Sequence, residues 1–384
     1  MDPLIRFNVP WVAPDEKGLL IESLDSGKTS SSGPFSKLAA EMITAETRAA
    51  ATLMTTSCTA ALELSAMLLD IGEGDVVIVP SFTFTSSALA FVRAGARILF
   101  CDIEPATLGP DPGSVAELLA DPTYGPAVKA VVTVHYAGIA GDLEALLKVL
   151  QERPDVALVE DNAHGLYGRW RDQPLGSFGR FATQSFHETK NFTCGEGGAL
   201  VVRDEADVAR AWICYDKGTD RQAFLQGQID KYSWRDTGSS FGMADTLAAS
   251  LVAQLRAREW VQEKRRGIFE GYLARLGPLV DDLGVTLPHV PADCLPAYHL
   301  FHVLLPEAER RREVMGAMKA DGVNTTFHYV PLHDSDGGRA FAARPTECPV
   351  TTDVSSRLVR LPFHHHLTDT DLDRVVETFV RAVR

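Results

Sequence analysis

Ser185-Phe186-His187-Glu188-Thr189-Lys190-Asn191, followed at once by Cys194-Gly195-Glu196-Gly197-Gly198, is the stretch on which the reading of this chain turns. It sets one lysine after an apolar strand and before a glycine-rich turn. An amine placed there can condense with an aldehyde and, once released, carry a proton. The chain holds ten lysines and twenty-seven arginines among its 37 cationic residues, so few side chains compete for that role. Lys17, Lys37, Lys148, Lys264 and Lys319 sit in polar, helix-like surroundings that read as solvated surface. Taken alone, Lys190 also reads as a surface loop lysine. The glycine run lacks both the GxGxxG spacing and the Walker lysine of a nucleotide loop.

Upstream, Val156-Ala157-Leu158-Val159 ends in Glu160-Asp161-Asn162-Ala163-His164-Gly165. A short apolar run between polar signals reads as a buried parallel strand. Ligands of open α/β sheets bind at the carboxyl ends of strands. Asp161 is thereby placed where its carboxylate could face a protonated ring nitrogen, with a helix N-cap as the structural alternative. Glu160 is expected to point to the opposite face and serve the fold. Thr55-Thr56-Ser57-Cys58-Thr59 precedes a strong helix former, Ala60 to Leu69. Its amides and hydroxyls could cradle a phosphate without lysine or arginine, or simply cap the helix.

Val76-Val77-Ile78-Val79-Pro80 runs into Ser81-Phe82-Thr83-Phe84-Thr85. One phenylalanine there can stack on a flat ring, and the other is expected in the core. Far downstream, Val323 to His333 carries His328, Tyr329 and His333, suited to a polar pocket but poorly spaced for a metal site. His364-His365-His366 is expected on an exposed loop.

Together these residues resemble the DegT/DnrJ/EryC1/StrS family, the sugar aminotransferases that use pyridoxal 5′-phosphate. The resemblance runs from Phe7-Asn8-Val9-Pro10 to the C-terminal region, and the Phe-His-Glu-Thr-Lys-Asn pattern around Lys190 is its most specific part. Ser57-Cys58-Thr59-Ala60, Val134-His135-Tyr136-Ala137-Gly138 and the segment from Lys217-Gly218-Thr219 to Ser239-Ser240 carry it further. It implies the fold of aspartate aminotransferase, known as fold type I, and a homodimer with shared active sites. By that resemblance Lys190 is the Schiff-base lysine and Asp161 the partner of the pyridine nitrogen. Ser57, the Cys58 amide, Thr59 and Ser185 would hold the cofactor phosphate, and Phe84 would stack on the ring. His164 stands where most members have glutamine near the phenolic oxygen, and its charge would vary with pH. Ser240 stands where many have an asparagine that reaches the phosphate of the partner subunit. Lys217, Lys231, Tyr232, Arg235, His328 and Tyr329 are the candidate substrate contacts. The implied amino donor is L-glutamate and the implied acceptor a dTDP-linked 4-keto-6-deoxy sugar, with a 3-keto sugar as the alternative. One branch of the family has histidine in place of the lysine and removes a sugar hydroxyl; Lys190 argues against that chemistry. A catalytically silent binding or regulatory protein on the same fold is the other class of reading.

Composition agrees. A chain of 384 residues, 45% apolar, has room for two domains and a large core. No apolar run is long enough to span a bilayer, and no signal peptide is read. Six cysteines without CxxC spacing suggest reduced thiols in a cytoplasm rather than a disulfide framework or zinc site. A net charge of −14 argues against a general nucleic-acid surface. Residues 1 to about 30 read as an arm packed on the body or a partner. Strands near 76–80, 97–102, 129–135, 156–161, 181–186 and 198–203 alternate with helices and imply a mostly parallel sheet covered on both faces. Residues 211–243 read as a loop reaching an active site across a dimer. A helical run at 244–276 leads into a smaller α+β domain, dividing the chain into a large domain at 1–250 and a small one at 251–384.

Overall fold

The computed structural model describes residues 3–384, so Met1 and Asp2 of the expected arm lie outside it. Its central sheet contains β1 (Ala51–Thr55), β2 (Val76–Pro80), β3 (Arg97–Cys101), β4 (Val128–Val134) and β5 (Ala157–Asp161). After the short pair β6 (Arg169–Trp170) and β7 (Gln173–Pro174) come β8 (Phe181–Ser185) and β9 (Gly198–Val202). The strand order is β1-β9-β8-β5-β4-β2-β3. Pairing is parallel from β3 through β8, while β9 runs antiparallel to both β8 and β1. The sheet is therefore mostly parallel, as the alternation of strands and helices implies.

Burial on both faces explains why β2, β4 and β5 read as mostly apolar runs. Along β4, Ala130, Val132 and Val134 join one core with Leu62 and Phe91, whereas Val131 joins Leu99, Leu146 and Leu158 on the other side. Four helices matter most for the site and its support: α1 (Glu16–Asp25), α2 (Pro34–Thr47), α3 (Cys58–Leu68) and α4 (Ser86–Ala94). β1 escapes the periodicity reading, because five residues of mixed Ala, Thr, Leu and Met at a sheet edge carry little strand signal.

The long helical run is two helices, Asp245–Arg256 and Arg258–Leu276, broken at Ala257. The first packs on α1 and α2, and residue 250 lies inside it. Beyond, β10 (Cys294–Leu295) pairs with β6, and β11 (His302–Leu304) pairs antiparallel with β12 (Leu358–Arg360). The helices Arg258–Leu276 and Asp369–Val383 enclose a separate core of Phe269, Tyr272, Phe301 and Phe379.

The arm is fixed to the body: the Ile5 amide donates to Gly322 O (2.9 Å), and Glu16 accepts from Ser250 Oγ (2.5 Å) and Gln254 Nε2 (2.8 Å). It also overturns one expectation. His364 and His365 are only 5% and 7% exposed, not on an open loop. His364 donates to Arg6 O (3.2 Å), and His365 lies beside the stacked rings of Trp11 and Trp260. A polar triplet reads as surface until a distant segment is laid over it.

Glu160 does serve the fold. Its carboxylate accepts from the amides of Gly176 (2.8 Å), Phe178 (2.7 Å) and Gly179 (2.7 Å), and from His135 Nε2 (2.8 Å), with both side chains fully buried. It thus ties the β7–β8 turn beneath β5. Glu160→Ala should destabilise the fold by about 3–5 kcal/mol, the usual cost of stripping one partner from a buried charged network. Urea unfolding checks this, and an unchanged midpoint would contradict it.

Candidate active site

Because β9 is antiparallel to β8, the connection between them turns back at the carboxyl end of β8 and stays there. Lys190 sits on that connection. Glycine is required where it closes: a Cβ at Gly198 would lie 2.3 Å from Ser57 C and 2.4 Å from Cys58 N. The start of β9 thereby packs directly against the first peptide of α3. Lys190, Asp161, Ser57 and Ser185 come to one cavity of about 570 Å³, which also takes in Cys58, Thr59, Phe84, His164, His328 and Tyr329.

At one end two helix N-termini converge. Ser57 caps α3, its Oγ accepting from the Ala60 amide (3.1 Å), and Thr59 Oγ1 meets Ser86 Oγ of α4 at 2.7 Å. Free first-turn amides and hydroxyls form a ready anion cradle. Cys58 Sγ bonds Thr183 Oγ1 (3.4 Å), and burial pushes its thiol up, so it is present as the protonated group. Asp161 is buried, receiving Ser87 Oγ on Oδ2 (2.6 Å) and the Ala163 amide on Oδ1 (3.2 Å). Two donors fix the carboxylate while leaving lone pairs for a third.

Burial pushes the Lys190 amine down to about 8; the neighbouring Asp161 carboxylate opposes that shift, and Arg360 adds to it. Burial, then Lys190, His328 and Arg360, hold His164 well below the usual imidazole range. It is therefore neutral near pH 7, which corrects the expectation of a pH-variable charge. His164 stacks on His299 (4.0 Å between ring centroids) and His328 on Tyr329 (4.0 Å). Phe82 is fully buried and Phe84 is 63% exposed at the cavity, dividing core and pocket roles as the sequence suggests. His333 instead bonds Ser81 Oγ (2.6 Å). Among the described residues no group of three His, Cys, Asp or Glu is arranged to hold a metal ion, and no helix is long and apolar enough to cross a membrane.

Within one chain, Lys217, Lys231, Tyr232, Arg235 and Ser240 lie outside this cavity. They belong to a loop closed by the Asp216–Ser240 and Thr219–Trp234 bridges, where Trp234 is 82% exposed. Lys217 pairs with Asp216 (2.6 Å), and Arg235 with Asp220 (2.5 Å).

The sequence reading missed Ser86, Ser87, His299 and Arg360. The two serines continue the hydroxyl-rich run after Phe84 and were legible there. Arg360 had a fainter signal, a single cation in the apolar stretch Leu358 to Phe363. It is 9% exposed, donates to His328 Nε2, lies over the Phe7 ring (4.8 Å), and has no carboxylate partner among the described residues.

A lysine amine beside a fixed carboxylate and an anion cradle suits pyridoxal 5′-phosphate. The fold is that of type I enzymes using this cofactor, so the protein is a pyridoxal-phosphate-dependent aminotransferase. Residues 12–380 match the DegT/DnrJ/EryC1/StrS aminotransferase family, and the chain belongs to it. It is 30% identical over 381 residues to the spore coat polysaccharide biosynthesis protein SpsC of Bacillus subtilis, covering 97% of this chain and 95% of that protein. It is 32% identical over 332 residues to dTDP-4-dehydro-2,3,6-trideoxy-D-glucose 4-aminotransferase of Saccharopolyspora spinosa, covering 85% and 83%. The crystal structure of aminotransferase TlmJ from Streptoalloteichus hindustanus superposes with a TM-score of 0.89 at 30% identity, covering 99% and 98%.

Since the neutral amine is the nucleophile, capture of pyridoxal phosphate by the cofactor-free protein should quicken as pH rises and level off just above about 8. Stopped-flow absorbance checks this; a rate still climbing steeply past pH 9.5, as for a solvated lysine with a pKa of about 10.4, would contradict it.

Proposed function

We propose that the protein transfers an amine from L-glutamate to C4 of a dTDP-linked 4-keto-6-deoxy-D-glucose, giving a dTDP-4-amino-4,6-dideoxy sugar and 2-oxoglutarate. The observation that carries this reading is one cavity holding an amine, a fixed carboxylate and a buried, carboxylate-free arginine. Support for C4 comes from the Saccharopolyspora relative, named for a 4-dehydro deoxysugar. The Ser57–Ala60, Val134–Gly138 and Ser185–Asn191 motifs also resemble those of dTDP-4-amino-4,6-dideoxygalactose transaminase.

When bound, pyridoxal phosphate supplies an aldehyde to take up the amine and a ring that withdraws electrons from the reacting carbon. Lys190 Nζ tethers it, then as a free base takes the proton from the donor's α-carbon; in the second half it serves the sugar's C4. The Asp161 carboxylate keeps the ring nitrogen protonated. Ser57, the Cys58 amide, Thr59 and Ser185 hold the phosphate, and Phe84 covers a ring face. Neutral His164 donates to the phenolic oxygen. Arg360 takes a donor carboxylate, and His328 and Tyr329 line the acceptor side. In a homodimer, the loop with Lys217, Lys231, Tyr232, Arg235 and Ser240 reaches the partner's cavity, where the first four contact the sugar nucleotide and Ser240 approaches the phosphate.

Incubation with pyridoxal phosphate, L-glutamate and dTDP-4-keto-6-deoxyglucose, followed by NMR of the product, tests the reaction; an unaminated sugar would refute it. Lys190→Ala should abolish turnover, and Asp161→Ala should lower both cofactor affinity and rate. Wild-type behaviour of either variant would remove its role. Arg360→Met should raise KM for glutamate about 30-fold or more, since losing a buried charge partner costs about 2–5 kcal/mol. An unchanged KM would place the donor carboxylate elsewhere.

A further inference from the structure

His299 belongs to the segment between β10 and β11, yet its ring lies in the wall of the Lys190 cavity. Its neighbourhood is saturated with hydrogen bonds. The amides of Ala297 and His299 donate to Gly138 O (2.8 Å) and Ala137 O (3.1 Å). The carbonyls of Tyr298 and His299 accept from Nε (2.8 Å) and Nη2 (2.6 Å) of the buried Arg265. Tyr298 between them has φ 51°, in the left-handed region that a non-glycine residue adopts only under constraint. A Cβ at Gly138 would lie 2.6 Å from His164 O and 2.7 Å from Ala297 Cβ, so the segment is laid on the turn that follows β4 at the closest approach glycine permits.

Asn191, the residue after Lys190, completes the clamp. Its Nδ2 donates to Ala297 O (2.6 Å), which turns Oδ1 toward His299 Nδ1 (2.9 Å). A carbonyl oxygen only accepts, so Nδ1 carries the proton and Nε2 is left as a bare acceptor. The other face of the ring system is His164, stacked at 4.0 Å and 22°. His164 Nδ1 is buried without a partner. An orphaned donor is the costlier choice, so the proton of this neutral ring belongs on Nε2.

We propose that His299 is a positioning residue of the aminotransferase site: held in the Nδ1–H tautomer, it fixes the residue after Lys190 through Asn191 and the ring of His164 by stacking. The amine and the imidazole that meet the coenzyme thus keep one relative placement, set by a segment more than 100 positions downstream in the chain. The inference rests on the roles given above to Lys190 and His164.

Two measurements test it. In the cofactor-free full chain labelled with ¹⁵N-histidine, His299 should show a protonated Nδ1 and a bare Nε2 from pH 6 to 8, with the signal assigned by its loss in His299→Asn. In Asn191→Leu the two tautomers should both be populated. A wild-type Nε2–H tautomer, or the same spectrum in Asn191→Leu, overturns the proposal. In the loaded enzyme Asn191→Leu should lower kcat about 10²-fold, the scale of a displacement of about 1 Å, with KM for glutamate changed less than about threefold. His299→Asn, which keeps an N–H toward Asn191 but removes the stacked ring, should fall between that variant and wild type. Variants that melt earlier yet retain wild-type kcat show a purely structural role and overturn it. A wild-type enzyme that fails to deaminate glutamate instead sinks the proposed function and leaves the tautomer assignment standing.

Discussion

The reversal of β9 against β8 is the constraint from which the site follows. A parallel crossover after β8 would have led the chain back over a face of the sheet to the opposite ends of the strands. The antiparallel return keeps Lys190 above the carboxyl ends of β5 and β8, where Asp161 also emerges. Gly198 makes the return tight enough for β9 to meet the N-terminus of α3. One turn thus sets the amine, the carboxylate and the anion cradle in fixed relation, and the surrounding cores hold the strands that bear them.

Charge in the cavity is arranged economically. The chain is acidic overall, at −14, yet the cavity's permanent cation is Arg360 and its titrating one is Lys190. Four imidazoles crowd nearby: burial first, then neighbouring cations, hold His164, His299, His302 and His328 below the usual range. They act as neutral hydrogen-bonding rings rather than as charges competing with the arginine for an anion. Because Arg360 donates to Nε2 of His328, that ring carries its proton on Nδ1, directed at Tyr136 Oη (3.3 Å). The net charge of a sequence says little about such a site; local burial decides it.

Much of this was legible in the residues. Val76 to Pro80, Val128 to Val134 and Ala157 to Asp161 announce buried strands, because parallel strands covered on both faces are mostly apolar along their length. Lys190 and Asp161 were visible as reactive types at strand ends, and the hydroxyls before α3 as a cap or cradle. What the sequence hid was contact between distant segments. Arg360 and His299 enter the cavity from strands and loops whose local pattern is merely apolar, and nothing near His364 shows that residues 6–11 will cover it. β1 was hidden because its mix of Ala, Thr, Leu and Met at a sheet edge carries little strand signal. The loop around Trp234 is the remaining case: its sequence is aromatic and basic, but within one chain its residues stay outside the lining of the cavity.

The central claim is that the amine of residue 190 is the covalent anchor of the coenzyme beside the Asp161 carboxylate. Reduction of the holoprotein with borohydride, digestion and mass mapping of the pyridoxyl label test it directly. The account requires the label on the peptide containing Lys190 and nowhere else. A label on another lysine, or none at all, would contradict it.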